Sequence, residues 1–114
     1  MSTTFTPLEV GFSWADPSTN VGGSPILPGE VTGYQLGVRA DGTGAAGTYA
    51  QTIAVTGATS STLSASAVQA ALNLASGDYW ASIRTVGPTD STWSAEVPFA
   101  VLGVPNPPTG LSVA

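Results

Sequence analysis

The chain has 114 residues, enough for one domain with its own hydrophobic core. Two arginines, no lysine and seven acidic residues give a net charge of −5, which argues against nucleic-acid and anionic-membrane partners. The absence of histidine and cysteine removes disulfides, thiolate metal sites and the usual catalytic triads.

Apolar residues alternate with polar ones over short stretches, and turns rich in Gly and Pro separate these stretches. This pattern predicts a chain built mainly of β-strands, with a flexible N-terminus at residues 1–7 and a long loop at residues 15–29. The strands are predicted at residues 8–14, 31–40, 48–55, 61–64, 77–87 and 93–101.

Within each predicted strand, residues two apart share a face, so the apolar set marks the inward side. Trp14, Tyr34 and Ile83 are expected to seal the core. The other residues expected on the packed side are Leu8, Val10, Phe12, Leu36, Val38, Tyr49, Ile53, Val55, Tyr79, Ala81, Thr85, Trp93, Ala95, Val97, Phe99 and Val101.

Residues 66–75 show a different period, because apolar side chains recur there every three to four positions. Ser66 and Gln69 fit a capping box at the start, and Gly77 fits the stop. The sequence therefore predicts one short helix in this region.

Several features, taken in order, resemble a fibronectin type III domain: Trp14, residues 33–38, residues 77–79, residues 85–87 and Trp93–Ser94. Tyr79, at the start of the central strand, resembles the tyrosine corner of such domains. The resemblance runs from about Leu8 to Val101, most of the chain, and assigns residues 8–102 to one domain. It implies an all-β fold, a seven-stranded antiparallel β-sandwich of immunoglobulin-like type. The short helix near 66–75 departs from the family, which has a tight turn before that tyrosine.

The second departure concerns the ends of the chain. The family opens with a Pro-rich entry and a first strand, whereas here the Pro-rich residues 103–114 look like that opening, placed at the C-terminus. The segment begins a following domain, folds back as the first strand of its own sandwich, or completes a neighbouring copy by strand donation. Leu111 and Val113 alternate as a strand would, which makes them the candidates for strand exchange.

Carboxylates are the remaining groups with catalytic or metal-binding chemistry, and most of them lie in turn-like sequence, where Asp is favoured for local hydrogen bonding. They include Asp16, Glu30, Asp41, Asp78 and Asp90. Their spacing does not match a calcium loop, and the Gly-rich residues 42–47 read as a hairpin connection. We therefore expect no enzyme activity, no cofactor and no metal site.

The outward face of the central strands is the candidate interface. If these strands are neighbours, Arg39, Trp80, Arg84 and Glu96 share that face, and both arginines of the chain meet a tryptophan there. Arg stacks well on Trp, and both are enriched at interfaces. The alternative is that Arg84 pairs with Glu96 while Trp80 only covers bare sheet.

These features favour a non-catalytic structural or interaction module. One hypothesis is a bacteriophage virion protein, a capsid decoration or tail-associated protein whose partners are copies of itself or other virion proteins. The chain resembles an extracellular type of domain yet starts with Met and shows no signal peptide, as expected of a protein released by lysis. The alternative is an accessory module of a larger secreted bacterial enzyme or adhesin, with carbohydrate stacked on Trp80 or Trp93 as one variant.

Overall fold

The computed structural model describes residues 3–57, 62–103 and 107–113. These residues form a β-rich fold with one short helix. The strands are β1 (Thr6–Pro7), β2 (Gly11–Ser13), β3 (Gly33–Ala40), β4 (Gln51–Thr56), β5 (Thr62–Ser64), β6 (Gly77–Val86) and β7 (Val97–Val101), and the helix is α1 (Ala65–Leu72).

The strands are arranged in two sheets of different size. The larger has five strands in the order β1-β7-β6-β3-β4, and the smaller pairs β2 with β5. The long strands β3 and β6 lie side by side in antiparallel register, from Gly33 opposite Val86 to Ala40 opposite Tyr79. The prediction of a fully antiparallel fold is wrong at one edge, because β1 runs parallel to β7.

The core lies on one face of the five-stranded sheet, here called the inner face. Alternate residues of β3 supply it, and Tyr34, Leu36 and Val38 are 2% exposed or less, as predicted. The small sheet and the helix add to the same core, since Phe12, Leu63 and Val68 also pack in it. The prediction that Trp14 and Ile83 help to seal it holds in part, because both are half-buried.

The helix begins and ends at residues other than those predicted. Ser64, not Ser66, is the N-cap, and its hydroxyl accepts a hydrogen bond from the amide of Ala67. Asn73 adopts the left-handed conformation (φ 50°) and ends the helix before Gly77 is reached. Gln69, expected in the capping box, instead accepts a hydrogen bond from the amide of Leu74 at 2.8 Å.

The chain enters β6 through a corner that is fixed by one phenol. The hydroxyl of Tyr79 donates a hydrogen bond to the carbonyl oxygen of Ala75 at 2.6 Å. Its ring stacks on Phe99, with centroids 5.5 Å apart. This is the corner contact predicted for Tyr79, and it forms although a helix precedes it.

The predicted first strand is too long and includes a wrong inward residue. Only Gly11–Ser13 pairs, and Val10 is 88% exposed because the chain bends before β2. Gly11 has a φ of 143°, and a Cβ there would lie 2.2 Å from the carbonyl oxygen of Leu63. The close approach of β2 to β5 therefore requires glycine at this position.

The last strand is also shorter than predicted, since β7 begins at Val97 rather than Trp93. Phe99 and Val101 are buried as expected, but Val97 is 50% exposed and Ala95 is exposed. Trp93 lies on the other face of the sheet, against Arg84. The alternation thus predicts the inward face only where the chain is an uninterrupted strand.

The remaining predictions concern the two ends of the chain and the turn before β5. Residues 1–7 were predicted as flexible, and the structure places β1 in that segment, held by a hydrogen bond from the Leu8 amide to the Ala100 carbonyl. Residues 58–61, at the predicted turn before β5, lie outside the described residues, as do 104–106 and 114 in the C-terminal segment. Within the described parts of the chain, α1 is far too short to cross a membrane.

Candidate interaction surface

The four predicted interface residues lie on the outer face of the five-stranded sheet, opposite the core. Arg39 of β3 is directly opposite Trp80 of β6, and Arg84 is opposite Gln35. Glu96 immediately precedes β7 and reaches the same face. The structure therefore brings Trp80, Arg39 and Glu96 into one contact group, with Arg84 further along β6.

Arg39 and Glu96 form a two-point ion pair. The Nε of Arg39 donates to Oε2 of Glu96 at 2.8 Å, and a terminal guanidinium nitrogen donates to Oε1 at 2.6 Å. The two side chains are 16% and 10% exposed. The guanidinium lowers the pKa of Glu96 below its usual range, and the carboxylate raises the pKa of Arg39. The alternative pairing of Glu96 with Arg84 is not formed.

Trp80 is enclosed by neighbours on three sides. The guanidinium of Arg39 lies 5.6 Å from the indole centroid, and Phe5 meets the indole edge-on at 5.5 Å. The indole Nε1 donates a hydrogen bond to Asp41 at 2.9 Å. Phe5 immediately precedes β1, so the N-terminal segment helps to cover the outer face.

Tyr49 extends the group towards the other end of the face. Its hydroxyl donates to Oε2 of Glu96 at 2.8 Å, and its ring packs against Trp93 with centroids 4.7 Å apart. Burial raises the pKa of Tyr49, and the Glu96 carboxylate adds to this rise. The ring lies directly over Gly37, where a Cβ would come within 2.5 Å of it.

Arg84 is held by a separate set of contacts. Its Nε donates to the side-chain oxygen of Gln35 at 2.8 Å, and its guanidinium lies 4.7 Å from the ring centroid of Trp93. Asp90 approaches the guanidinium at 3.6 Å. Trp93 therefore joins Arg84 to Tyr49, and through Tyr49 to Glu96 and Arg39.

We name this set of residues the outer-face cluster: Phe5, Gln35, Arg39, Tyr49, Trp80, Arg84, Trp93 and Glu96. The sequence identified four of its members and placed Gln35 on the same face as Arg39, but it missed Phe5 and wrongly assigned Tyr49 and Trp93 to the packed side. One signal was present for Tyr49, because Gly37 within a long strand often marks the close approach of another group.

Two of the remaining carboxylates fix loops and a third holds a core tyrosine. Glu30 accepts hydrogen bonds from the amide of Leu27 and the side chain of Asn20, which lower its pKa. Asp90 accepts one from the amide of Gly87 at 3.3 Å. Asp16 accepts one from Tyr34 at 2.7 Å, and burial together with this contact raises the pKa of Tyr34 to about 12. Among the described residues, no three carboxylates gather as a metal site.

The candidate strand-exchange residues lie in a segment with no secondary structure. Residues 107–113 are exposed throughout, and Leu111 and Val113 are each 100% exposed. The described part of this segment therefore makes no strand pairing within the chain.

Comparison with known proteins found no match to this chain. No model of a known protein family matches the chain, and neither the curated proteins nor the solved structures give a significant match. The interpretation of the outer-face cluster therefore rests on its own geometry.

Proposed function

We propose that this chain is a non-catalytic structural and interaction module that binds a protein partner through the outer-face cluster. The observation that supports this most strongly is the ordered arrangement of Trp80, Arg39 and Glu96, fixed by contacts of 2.6–2.9 Å. Trp and Arg are the side chains most enriched at the energetic centres of interfaces. Because these side chains are already ordered, they lose less conformational entropy when a partner binds them.

The same geometry favours a protein partner over a carbohydrate. Trp80 contacts Phe5 and Arg39, and Trp93 contacts Tyr49 and Arg84. Both rings are thus engaged within the chain, whereas stacking on a sugar requires a free aromatic face. A mixed surface of half-buried rings and paired charges is typical of protein interfaces.

We also propose that the fold is a β-sandwich of the fibronectin type III kind. Three observations support it: two sheets that share one core, the hydrogen bond from Tyr79 to Ala75, and the order of the strands in the larger sheet. β1 is an edge strand that runs parallel to β7 in the larger sheet, so it does not pair with β2.

We propose a bacteriophage virion as the setting, with the chain acting as a capsid decoration or tail-associated protein. The support is compositional: only 8% of the residues are charged, and neither lysine nor cysteine occurs. Such a surface suits repeated copies that face the open environment. The alternative is an accessory module of a longer secreted enzyme or adhesin.

Mass spectrometry of purified phage particles tests the setting. We expect peptides of this chain in intact particles, at many copies each, and none in a matched fraction freed of particles. Absence from every particle, or recovery only within a longer secreted polypeptide, would contradict the virion proposal and favour the alternative.

Rebinding of the purified protein to particles stripped of it tests the surface itself. Trp80→Ala should weaken rebinding about tenfold or more, because truncation of a central anchor typically has an effect of this size. Leu27→Ala is the matched control, since Leu27 is 61% exposed, lies in the loop before β3 and is not a member of the cluster. Equal rebinding by the two variants would exclude the outer-face cluster as the contact.

A further inference from the structure

The inner face of the five-stranded sheet is incompletely covered. An open apolar groove of about 350 Å³ remains there, lined by Phe12, Trp14, Leu36, Ala81, Ile83 and Val97. Val97 points towards this side of the sheet but is 50% exposed. The small sheet has only β2 and β5 among the described residues, so it leaves this part of the core unprotected.

The groove follows the edge of β2 that pairs with no other described strand. Phe12, Ser13 and Trp14 all line it, although consecutive side chains of a strand point to opposite faces. The groove therefore runs along the backbone of this strand, on the side that β5 does not occupy. Unpaired strand edges next to an apolar groove are the usual acceptors for an added strand.

A buried polar atom marks the same place. The indole Nε1 of Trp14 is buried and has no hydrogen-bond partner among the described residues. Such a donor is costly to leave unsatisfied. Trp14 is half-buried and lines the groove, so rotation of its indole would bring this donor to a backbone carbonyl of an added strand.

We propose that the groove along β2 binds residues 107–113 of a second copy of this chain. This inference rests on the proposed function as a module that assembles with copies of itself. This segment carries no charge, so its burial removes no ionised group from water. Leu111 and Val113 are fully exposed and alternate, so both face one side when the segment is extended. At about 3.3 Å per residue, it is more than long enough to cover the three residues of β2.

The direction of the strands favours a second copy over the chain's own tail. Phe12 packs on Phe99 near one end of the sheet, and Trp14 packs on Tyr34 near the other, so β2 runs in the same sense as β6. β7 runs the opposite way and ends close to the start of β2. A tail that turned back from β7 would therefore lie parallel to β2, whereas a donated segment is free to adopt the antiparallel pairing, which is commoner and slightly more stable.

Sedimentation velocity of the full chain over a wide concentration range tests this exchange. We expect a concentration-dependent species with at least twice the mass of one chain. The donor variant Leu111→Asp/Val113→Asp and the acceptor variant Val97→Asp should each stay monomeric. Val21→Asp, a charge placed on a valine that is fully exposed in a distant loop, should assemble like the wild type.

Mixing the donor and acceptor variants separates exchange between copies from closure within one chain. The donor variant keeps an intact groove, and the acceptor variant keeps an intact C-terminal segment. The mixture should therefore form a one-to-one pair, while neither variant self-associates. Near-ultraviolet circular dichroism checks that both variants remain folded. If the Val97→Asp variant is unfolded, Ala95→Glu replaces it, because Ala95 also lines the groove. A monomeric wild type, an assembling donor variant or a mixture without pairs would overturn the inference, and detection of the chain in particles would still support the proposed function.

Discussion

The two faces of the five-stranded sheet are built from the same strands but packed by different forces. On the inner face Leu36, Val38 and Phe99 are almost fully buried, and the contacts are apolar. On the outer face no aromatic ring of the cluster is fully buried, and each lies against a guanidinium or a second ring. The inner face therefore provides most of the stability, while the outer face provides an ordered arrangement of polar and aromatic groups.

The largest difference in stability between the two faces is expected when one large ring is truncated on each. Phe99→Ala should lower the free energy of unfolding by about 3–5 kcal/mol, because Phe99 is 3% exposed and packs on Phe12 and Tyr79. Trp80→Ala should cost less than half as much, since Trp80 is only half-buried. Urea denaturation followed by circular dichroism measures both, and equal costs would mean that the outer face is a second core.

The next prediction adds a methyl group beneath the outer face. Gly37→Ala should destabilise the protein by about 1–3 kcal/mol, as overpacking does. The new Cβ would lie 2.5–2.6 Å from the ring of Tyr49, which is held by Glu96 and Trp93. The same substitution at Gly103, where the nearest atom is 3.4 Å away, is the control. Tryptophan fluorescence should change for the first variant and not for the second.

A smaller effect is expected at the corner that leads into β6. Tyr79→Phe removes the hydrogen bond to the Ala75 carbonyl and keeps the ring stacked on Phe99. Because Ala75 is exposed, water replaces the lost donor, and the cost should be about 1 kcal/mol. Thermal unfolding measures it. A cost near that of Phe99→Ala would show that the corner, rather than the core, limits stability.

The smallest expected effect is the pH dependence of the outer face. The pKa of Glu96 is lowered in the folded protein, chiefly by Arg39, so its stabilising contribution is present above the unfolded pKa of about 4.3. It is lost as the pH falls from there through the folded pKa. The stability difference between the wild type and Glu96→Gln should therefore shrink over this range in low salt. Parallel stability curves for the two proteins would contradict the prediction.

How much could be predicted from the sequence depends on the length of each strand. β3 and β6 have eight and ten residues, and their alternation persists long enough to identify both faces, including Arg39 and Trp80. β2 and β7 are short, and the apolar alternation continues beyond their ends to Val10 and Trp93. The alternation alone does not show where backbone pairing stops, so Val10 and Trp93 were wrongly assigned to the packed side.

The missing members of the outer-face cluster have a related cause. Phe5, Tyr49 and Trp93 lie outside the named strands, in segments that cross the face rather than form it. Their positions follow from tertiary contacts, to Trp80, Glu96 and Arg84 respectively. Nothing in the local pattern encodes such contacts, apart from the small residue at Gly37 that leaves room for one ring.

Both positive side chains of the molecule lie on a single face, and this has an electrostatic consequence. Arg39 and Arg84 pair there with Glu96 and Asp90, while Asp41 adds a further carboxylate beside the indole of Trp80. The described guanidinium groups make this the face whose negative charge is partly balanced, so a negatively charged surface or a like molecule would be repelled less there than elsewhere. Approach to such a surface would be oriented before any contact forms, and dissolved salt would weaken that orientation.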